Sequence, residues 1–188
     1  NKFGNGSAIK LKLAFEAITG KDLNWFFNQW YFDNGHPYVR ITQQYQPEKK
    51  QVMVTIQQTQ TQNKIFELPI GIDVYVEGNK KHYEVWNKKA VDSFYFPASS
   101  LPENINVDND KILLWVKDED KPLSQYIYQY HHATNFMDRF EAIDQATENI
   151  IKPEAQALLQ AALKDSFYII RIKAIHAYNP AALNATTE

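Results

Sequence analysis

Five histidines, at positions 36, 82, 131, 132 and 176, are the residues best suited to chemistry, because imidazole serves as metal ligand and as general base near neutral pH. None is followed by glutamate, so the His-Glu-x-x-His helix that places two imidazoles on one zinc ion is absent. His131 and His132 are adjacent, and adjacent side chains on a helix diverge by about 100°, which suits two surface or packing residues better than one metal site. His36 precedes Pro37 in a turn, where its ring can bond the backbone. Asp108, Asn109 and Asp110, followed by Asp118, Glu119 and Asp120, supply oxygen ligands. They lack the loop order and central glycine of a calcium hand and read as solvated turns. The six glycines form neither a dinucleotide fingerprint nor a phosphate loop, and no Gly-x-Ser-x-Gly elbow occurs. Tyr83, Trp86 and Tyr95 could line an aromatic ligand platform, although packing in or on a sheet is the expected role of such rings. The residues therefore nominate no catalytic, metal or cofactor site within this chain.

The totals bound the remaining possibilities. A chain of 188 residues with 44% hydrophobic and 22% charged residues is globular, with room for one large or two small domains. A net charge of −2, with no concentration of lysine and arginine, argues against nucleic acid as a partner. The absence of cysteine excludes disulfides, thiolate metal sites and a cysteine nucleophile, and leaves the compartment open. No apolar run is long enough for a membrane segment, and no signal segment opens the chain. The start at Asn1, without methionine and already close to a helical pattern, reads as a piece of something longer.

The elements that would have to position any site fall into three parts. Ser7 to Ile18 reads as a helix with Ser7 as N-cap and Gly20 as its stop. A second helix follows from Asp22 to Phe32, where Leu23, Phe26, Phe27, Trp30 and Tyr31 form one apolar face and Trp25 and Phe32 a second line beside it. A helix this aromatic on more than one side is usually wedged between two bodies, so Leu23, Trp25, Phe26, Phe27, Trp30 and Phe32 are the candidate interdomain packing residues. Leu23, Phe26, Phe27 and Trp30 are expected to pack within the chain, and Trp25 or Phe32 to lie on an open apolar patch.

After Pro37 the period changes from 3.6 to 2. Strands are expected around Val39 to Thr42, Val52 to Gln57, Ile70 to Val76, His82 to Trp86, Phe94 to Phe96, Ile105 to Val107 and Ile112 to Val116. Seven short alternating strands predict an antiparallel β-sandwich. The Gln-Thr run from Gln57 to Gln62 reads as a polar strand end or hairpin. From Lys117 the pattern turns charged and helical, with helices at about Pro122 to His131, Asn135 to Ile151, Pro153 to Leu163 and Ser166 to Ala177, and with Asn135 and Asp165 as caps. Arg139-x-x-Ala142-Ile143 recurs as Arg171-x-x-Ala174-Ile175, 32 residues on, a period that suits a helix-pair repeat. The fold class is thus α+β in several parts: a helical hairpin at 1–37, a seven-stranded sandwich at 38–118, and a helical repeat-like segment at 119–188.

One resemblance adds to this. Thr19-Gly20-Lys21-Asp22-Leu23, then Trp25-Phe26-Phe27-x-Gln29-Trp30, then Gly35-His36-Pro37, resembles the end of the catalytic domain in the aminopeptidase N family of zinc metallopeptidases. Ile65-Phe66-Glu67-Leu68-Pro69-Ile70 and Asn104-Ile105-Asn106-Val107-Asp108 are similar to that family's next domain, and the likeness runs from about Ile9 to Leu114. It implies an immunoglobulin-like sandwich followed by a HEAT- or armadillo-like helical domain, attached to a thermolysin-like domain that precedes Asn1 and carries the zinc. It implies peptides as substrates of the parent enzyme, the catalytic domain as an intramolecular partner, no cofactor in this segment and no catalytic residue on this sequence. The competing expectation is a free-standing sandwich that binds a carbohydrate or protein partner in a groove around Tyr83, Trp86 and Tyr95.

Overall fold

The structure, a computed structural model, describes residue 4 and residues 6–178. Two helices open it. In α1 (Ala8–Thr19) the Ser7 hydroxyl accepts from the Lys10 amide at 3.2 Å, and Gly20 ends the helix in the left-handed region at φ 67°. In α2 (Asn24–Trp30) the Asp22 carboxylate accepts from the Asn24 amide at 2.7 Å, and the Leu23 amide donates to Glu16 at 3.0 Å, which ties the two helices together. The helix is shorter than the aromatic pattern predicts at both ends. It begins two residues after Asp22 and stops at Trp30, because the Phe32 amide turns back to Phe27 O at 2.9 Å and Gly35 follows at φ 84°.

Seven strands form two sheets. They are β1 (Tyr38–Gln46), β2 (Gln51–Gln58), β3 (Leu68–Val76), β4 (Asn79–Asn87), β5 (Val91–Pro97), β6 (Asn104–Val107) and β7 (Val116–Asp120). One sheet has the order β5-β2-β1-β7 and the other β4-β3-β6. Inward residues of both sheets, among them Ile41, Val54 and Ile56 from the first and Ile70, Ile72 and Ile105 from the second, share one core that also takes in Phe66. Alternation thus places the strands as expected, with two corrections. The arrangement is mixed rather than wholly antiparallel, since β7 runs parallel to β1 with Tyr38 opposite Val116.

The last strand is also Val116–Asp120 rather than Ile112 to Val116. The Asp108 carboxylate accepts from the Ile112 and Leu113 amides at 3.1 and 3.3 Å, which removes those donors from any ladder and leaves Ile112 and Leu114 facing solvent. The segment from Lys117 is strand, not the approach to a helix, because its alternation lies in charge: Lys117 and Glu119 point inward while Asp118 and Asp120 point out.

The Gln-Thr run does end strand β2, but its amides are structural. Buried Gln58 donates to Phe66 O at 2.7 Å and to Asn87 Oδ1 at 2.6 Å, and accepts from the Phe66 amide at 2.9 Å. Gln60 bonds Lys64 O at 2.7 Å and accepts from the Tyr38 amide at 3.3 Å. A loop that lacks ladder partners is satisfied in this way by side chains.

Four helices follow: α3 (Leu123–His132), α4 (Phe136–Glu148), α5 (Pro153–Ala162) and α6 (Tyr168–Tyr178). Asn135 caps α4 by accepting from the Met137 amide at 2.9 Å, and Asp165 accepts from the Phe167 amide at 2.8 Å. Ala142, Ile143, Ala146, Ala155, Leu159, Ile170 and Ala174 are wholly buried in a second core, whose small alanines let the helices approach closely.

Candidate functional site

The expected packing residues of α2 divide into three groups. Phe27 is 3% exposed, and Trp30 lies half-buried with its ring 5.4 Å from Phe66 of the sheet core. Gln29, between them, accepts from the Glu67 amide at 2.7 Å and donates to Glu67 O at 3.1 Å, a two-point clasp on the chain entering β3. Lys64 completes the seat, reaching Asp33 at 2.8 Å and Asn34 O at 3.2 Å. Leu23 and Trp25 are half-buried, the latter edge-on to Trp86 at 5.0 Å. Phe26, expected to pack inward, is instead 42% exposed, because a seven-residue helix seated through Phe27 and Trp30 turns position 26 about 100° away from the sheets. Phe32 is 55% exposed.

The larger apolar surface lies on α1. None of its residues is buried, and Ile9, Leu11, Leu13, Phe15 and Ile18 all face solvent, with Ile18 84% exposed. Phe26, Tyr31 and Phe32 extend the same apolar character across the hairpin. Exposed apolar side chains in this number suit a place where another body docks.

The second concentration of unusual groups is an ionic joint between the sheets and helices α3 and α4. Lys111 contacts Asp138 at 3.0 Å and Glu141 at 3.1 Å, and Lys117 contacts Glu119 at 3.2 Å and Glu141 at 3.1 Å. Lys121 donates to Gln129 at 2.6 Å and to Ile105 O at 3.0 Å. Three cations and three carboxylates thus meet where water is largely excluded.

Burial works against the charge on Lys117, but Glu119 and Glu141 outweigh it and hold its pKa above the usual lysine range. Burial likewise opposes ionisation of Glu119, and the three lysines overcome it and keep the group acidic. Lys121 lacks a direct carboxylate contact among its hydrogen bonds, so burial prevails and lowers it to about 8. A cleft of about 350 Å³ opens beside this joint, lined by Lys117, Glu119, Tyr126, Glu141 and further acidic residues of α4. The joint fixes β7 against α3 and α4, and it contains no nucleophile with an adjacent base. Gln129 and the lysines of this joint escape sequence reasoning, since polar residues at period-2 or helical positions look the same whether they face water or each other.

The other residues with chemical potential are dispersed. His132 stacks on Tyr128 at 3.8 Å and its Nδ1 donates to Tyr128 O, while His131 meets the Tyr130 ring edge-on. His82 bonds Asp73 at 2.7 Å, and His36 lies against Tyr38. Among the described residues no three His, Cys, Asp or Glu side chains come together as a metal site. Tyr83 packs against Phe96 on the core side, Trp86 is paired with Trp25, and Tyr95 is exposed on a strand of the other sheet. The three rings do not share a groove. No helix among the described residues is long and apolar enough to cross a membrane.

No family model matches the chain, and no curated protein matches it in sequence. Among solved structures, aminopeptidase A of Legionella pneumophila, crystallised with aspartic acid, is similar in fold with a TM-score of 0.69 at 18% identity. The similarity covers 87% of this chain and 20% of that one, so the chain spans about a fifth of the length of the protein it matches.

Proposed function

We propose that this chain is the non-catalytic sheet-and-helix segment of an aminopeptidase-type zinc metallopeptidase. In this reading the apolar residues of α1 and α2 seat against the peptidase body, the strands β1 to β7 form an immunoglobulin-like sandwich, and the helices from α3 onward begin a HEAT-like helical domain. Zinc and the hydrolysis of peptides belong to the peptidase body, and this segment holds that body and the helices in a fixed relation. The observation that carries the reading is the fold likeness to an aminopeptidase over 87% of the chain. The resemblance in the Thr19 to Pro37 cluster supports it as well, because Phe26, Tyr31 and Phe32 of that cluster lie exposed next to the uncovered helix α1.

The test uses the product of the complete reading frame. That product is expected to release p-nitroaniline from aminoacyl p-nitroanilides, to lose activity to a zinc chelator and to regain it with zinc. Residues 1–188 alone are expected to be inactive. A complete product without aminopeptidase activity, or activity in residues 1–188 alone, overturns the reading.

A further inference from the structure

The two sheets end in four edge strands, β5 and β7 of one and β4 and β6 of the other, and three of these are blunted. The edge of β6 is occupied by side chains: Ile105 donates its N–H to Gln125 Oε1 at 3.1 Å, and its carbonyl accepts from Lys121 at 3.0 Å. Strand β7 carries Lys117, Asp118, Glu119 and Asp120, and β4 exposes Lys80, Lys81, His82 and Glu84. Charges of this kind discourage pairing with another chain. Strand β5 has no such protection. Its one charged residue, Asp92, is held back by the Lys88 and Lys89 amides, which donate to its carboxylate at 2.8 and 3.0 Å.

Two bonds at its ends fix which backbone groups of β5 are free. The Gln58 amide donates to Ala90 O at 2.8 Å and the Ala98 amide to Lys50 O at 2.9 Å, both in register with the antiparallel ladder of β2 and β5. In such a ladder the residues that bond the neighbouring strand alternate with residues that face away from it. Ala90, Asp92, Phe94, Phe96 and Ala98 therefore bond β2, and the N–H and C=O groups of Val91, Ser93 and Tyr95 point to the open side. Pro97, next in that series, has no N–H and closes the row. The side chains of the same three residues lie on the outer face of the sheet, where Val91 and Tyr95 are 51% and 55% exposed, while Phe94 and Phe96 turn to the core.

We infer that the open edge of β5 docks a second copy of this chain, its own β5 paired antiparallel about a two-fold axis through Ser93. The row is its own complement. Centred on Ser93, Val91 of each copy lies opposite Tyr95 of the other and Ser93 opposite Ser93, so every outward N–H meets an outward C=O. On the outer face this register forms valine–tyrosine pairs, the β-branched and aromatic combination that stabilises antiparallel strands. No like charges oppose each other, because Asp92 lies opposite Phe94. A shift of two residues one way sets Val91 against Pro97, which cannot donate, and the other way sets Tyr95 against Lys89, outside the strand. The pairing joins two four-stranded sheets into one across the axis. With so short a row the contact is a weak, concentration-dependent dimer. It rests on the ladder of β2 and β5 and not on the peptidase reading.

The chain has no cysteine, so one introduced thiol reports the contact without background. Ser93→Cys sets two thiols on the axis with Cα atoms about 5.5 Å apart, within disulfide reach. The Thr55 hydroxyl is 2.9 Å from that of Ser93 but one strand farther from the axis in each copy. Thr55→Cys thiols would therefore stand three strand spacings, about 14 Å, apart and cannot bond. Under mild oxidation of the 188-residue chain, Ser93→Cys is expected to give a covalent dimer about tenfold faster than Thr55→Cys, or more. Analytical ultracentrifugation of the parent chain is expected to show a reversible monomer–dimer equilibrium. Val91→Lys with Tyr95→Lys should shift it to monomer without changing the circular dichroism spectrum, since both residues are at the surface. Equal cross-linking of the two thiol variants, or a monomer at every concentration, overturns the inference. A dimer that survives the two lysines and is dissolved by Ile18→Asp overturns it as well, by assigning the association to α1.

Discussion

Gln29 holds α2 on the sheets through both ends of one amide, and its removal would leave the Glu67 N–H and C=O without partners in a poorly hydrated place. Gln29→Ala is therefore expected to destabilise the chain by about 1–3 kcal/mol in urea unfolding, more than an exposed glutamine such as Gln156 would cost. Lys121 gives a pH dependence of definite sign. Its pKa is about 8 folded against 10.5 in the unfolded chain, so between those values the unfolded chain binds the extra proton and stability rises with pH. Lys117 acts oppositely, but only above its ordinary range, where its raised pKa makes the folded chain hold the proton longer. Thermal melts from pH 8 to 10 should thus show Tm increasing, and Lys121→Met should flatten that rise. Neither residue could be singled out from the sequence. A glutamine in an aromatic helix and a lysine in a charged run carry no pattern that separates a buried partner from a solvated one.

At the scale of elements, alternation and caps were legible wherever the inward face is apolar. β1 to β6, the Ser7 and Asn135 caps and the Gly20 stop all follow from residue type and spacing. β7 was not legible because its inward residues are Lys117 and Glu119, which satisfy each other and Glu141 rather than entering the apolar core. Its parallel pairing with β1 likewise depends on a chain reversal fixed by the Asp108 carboxylate, a tertiary device with no local signature. Helix α1 is the element with least support of its own, since it buries nothing. Its amides are expected to exchange with solvent orders of magnitude faster than those of β1 and β2 when residues 1–188 are studied alone, as hydrogen-exchange mass spectrometry would show.

Over the whole molecule, two cores meet at an ionic joint, and apolar surface is left open at both extremities of the described chain, on α1 with α2 and on α6. This distribution fits a segment held between two other bodies. The sequence pointed to the aromatic wedge through Trp25, Phe27 and Trp30, but it did not identify α1 as the larger open face, because Ile9, Leu11, Leu13 and Ile18 look like ordinary core positions until no core is found beneath them. The central proposal is that this face is covered by the body of a proposed parent peptidase. Hydrogen exchange on residues 8–32, compared between the complete reading-frame product and residues 1–188 alone, tests it most directly. Strong protection of α1 in the complete product, lost again in Ile18→Asp with Phe32→Asp, is the predicted result; equal, rapid exchange of α1 in both proteins would contradict it.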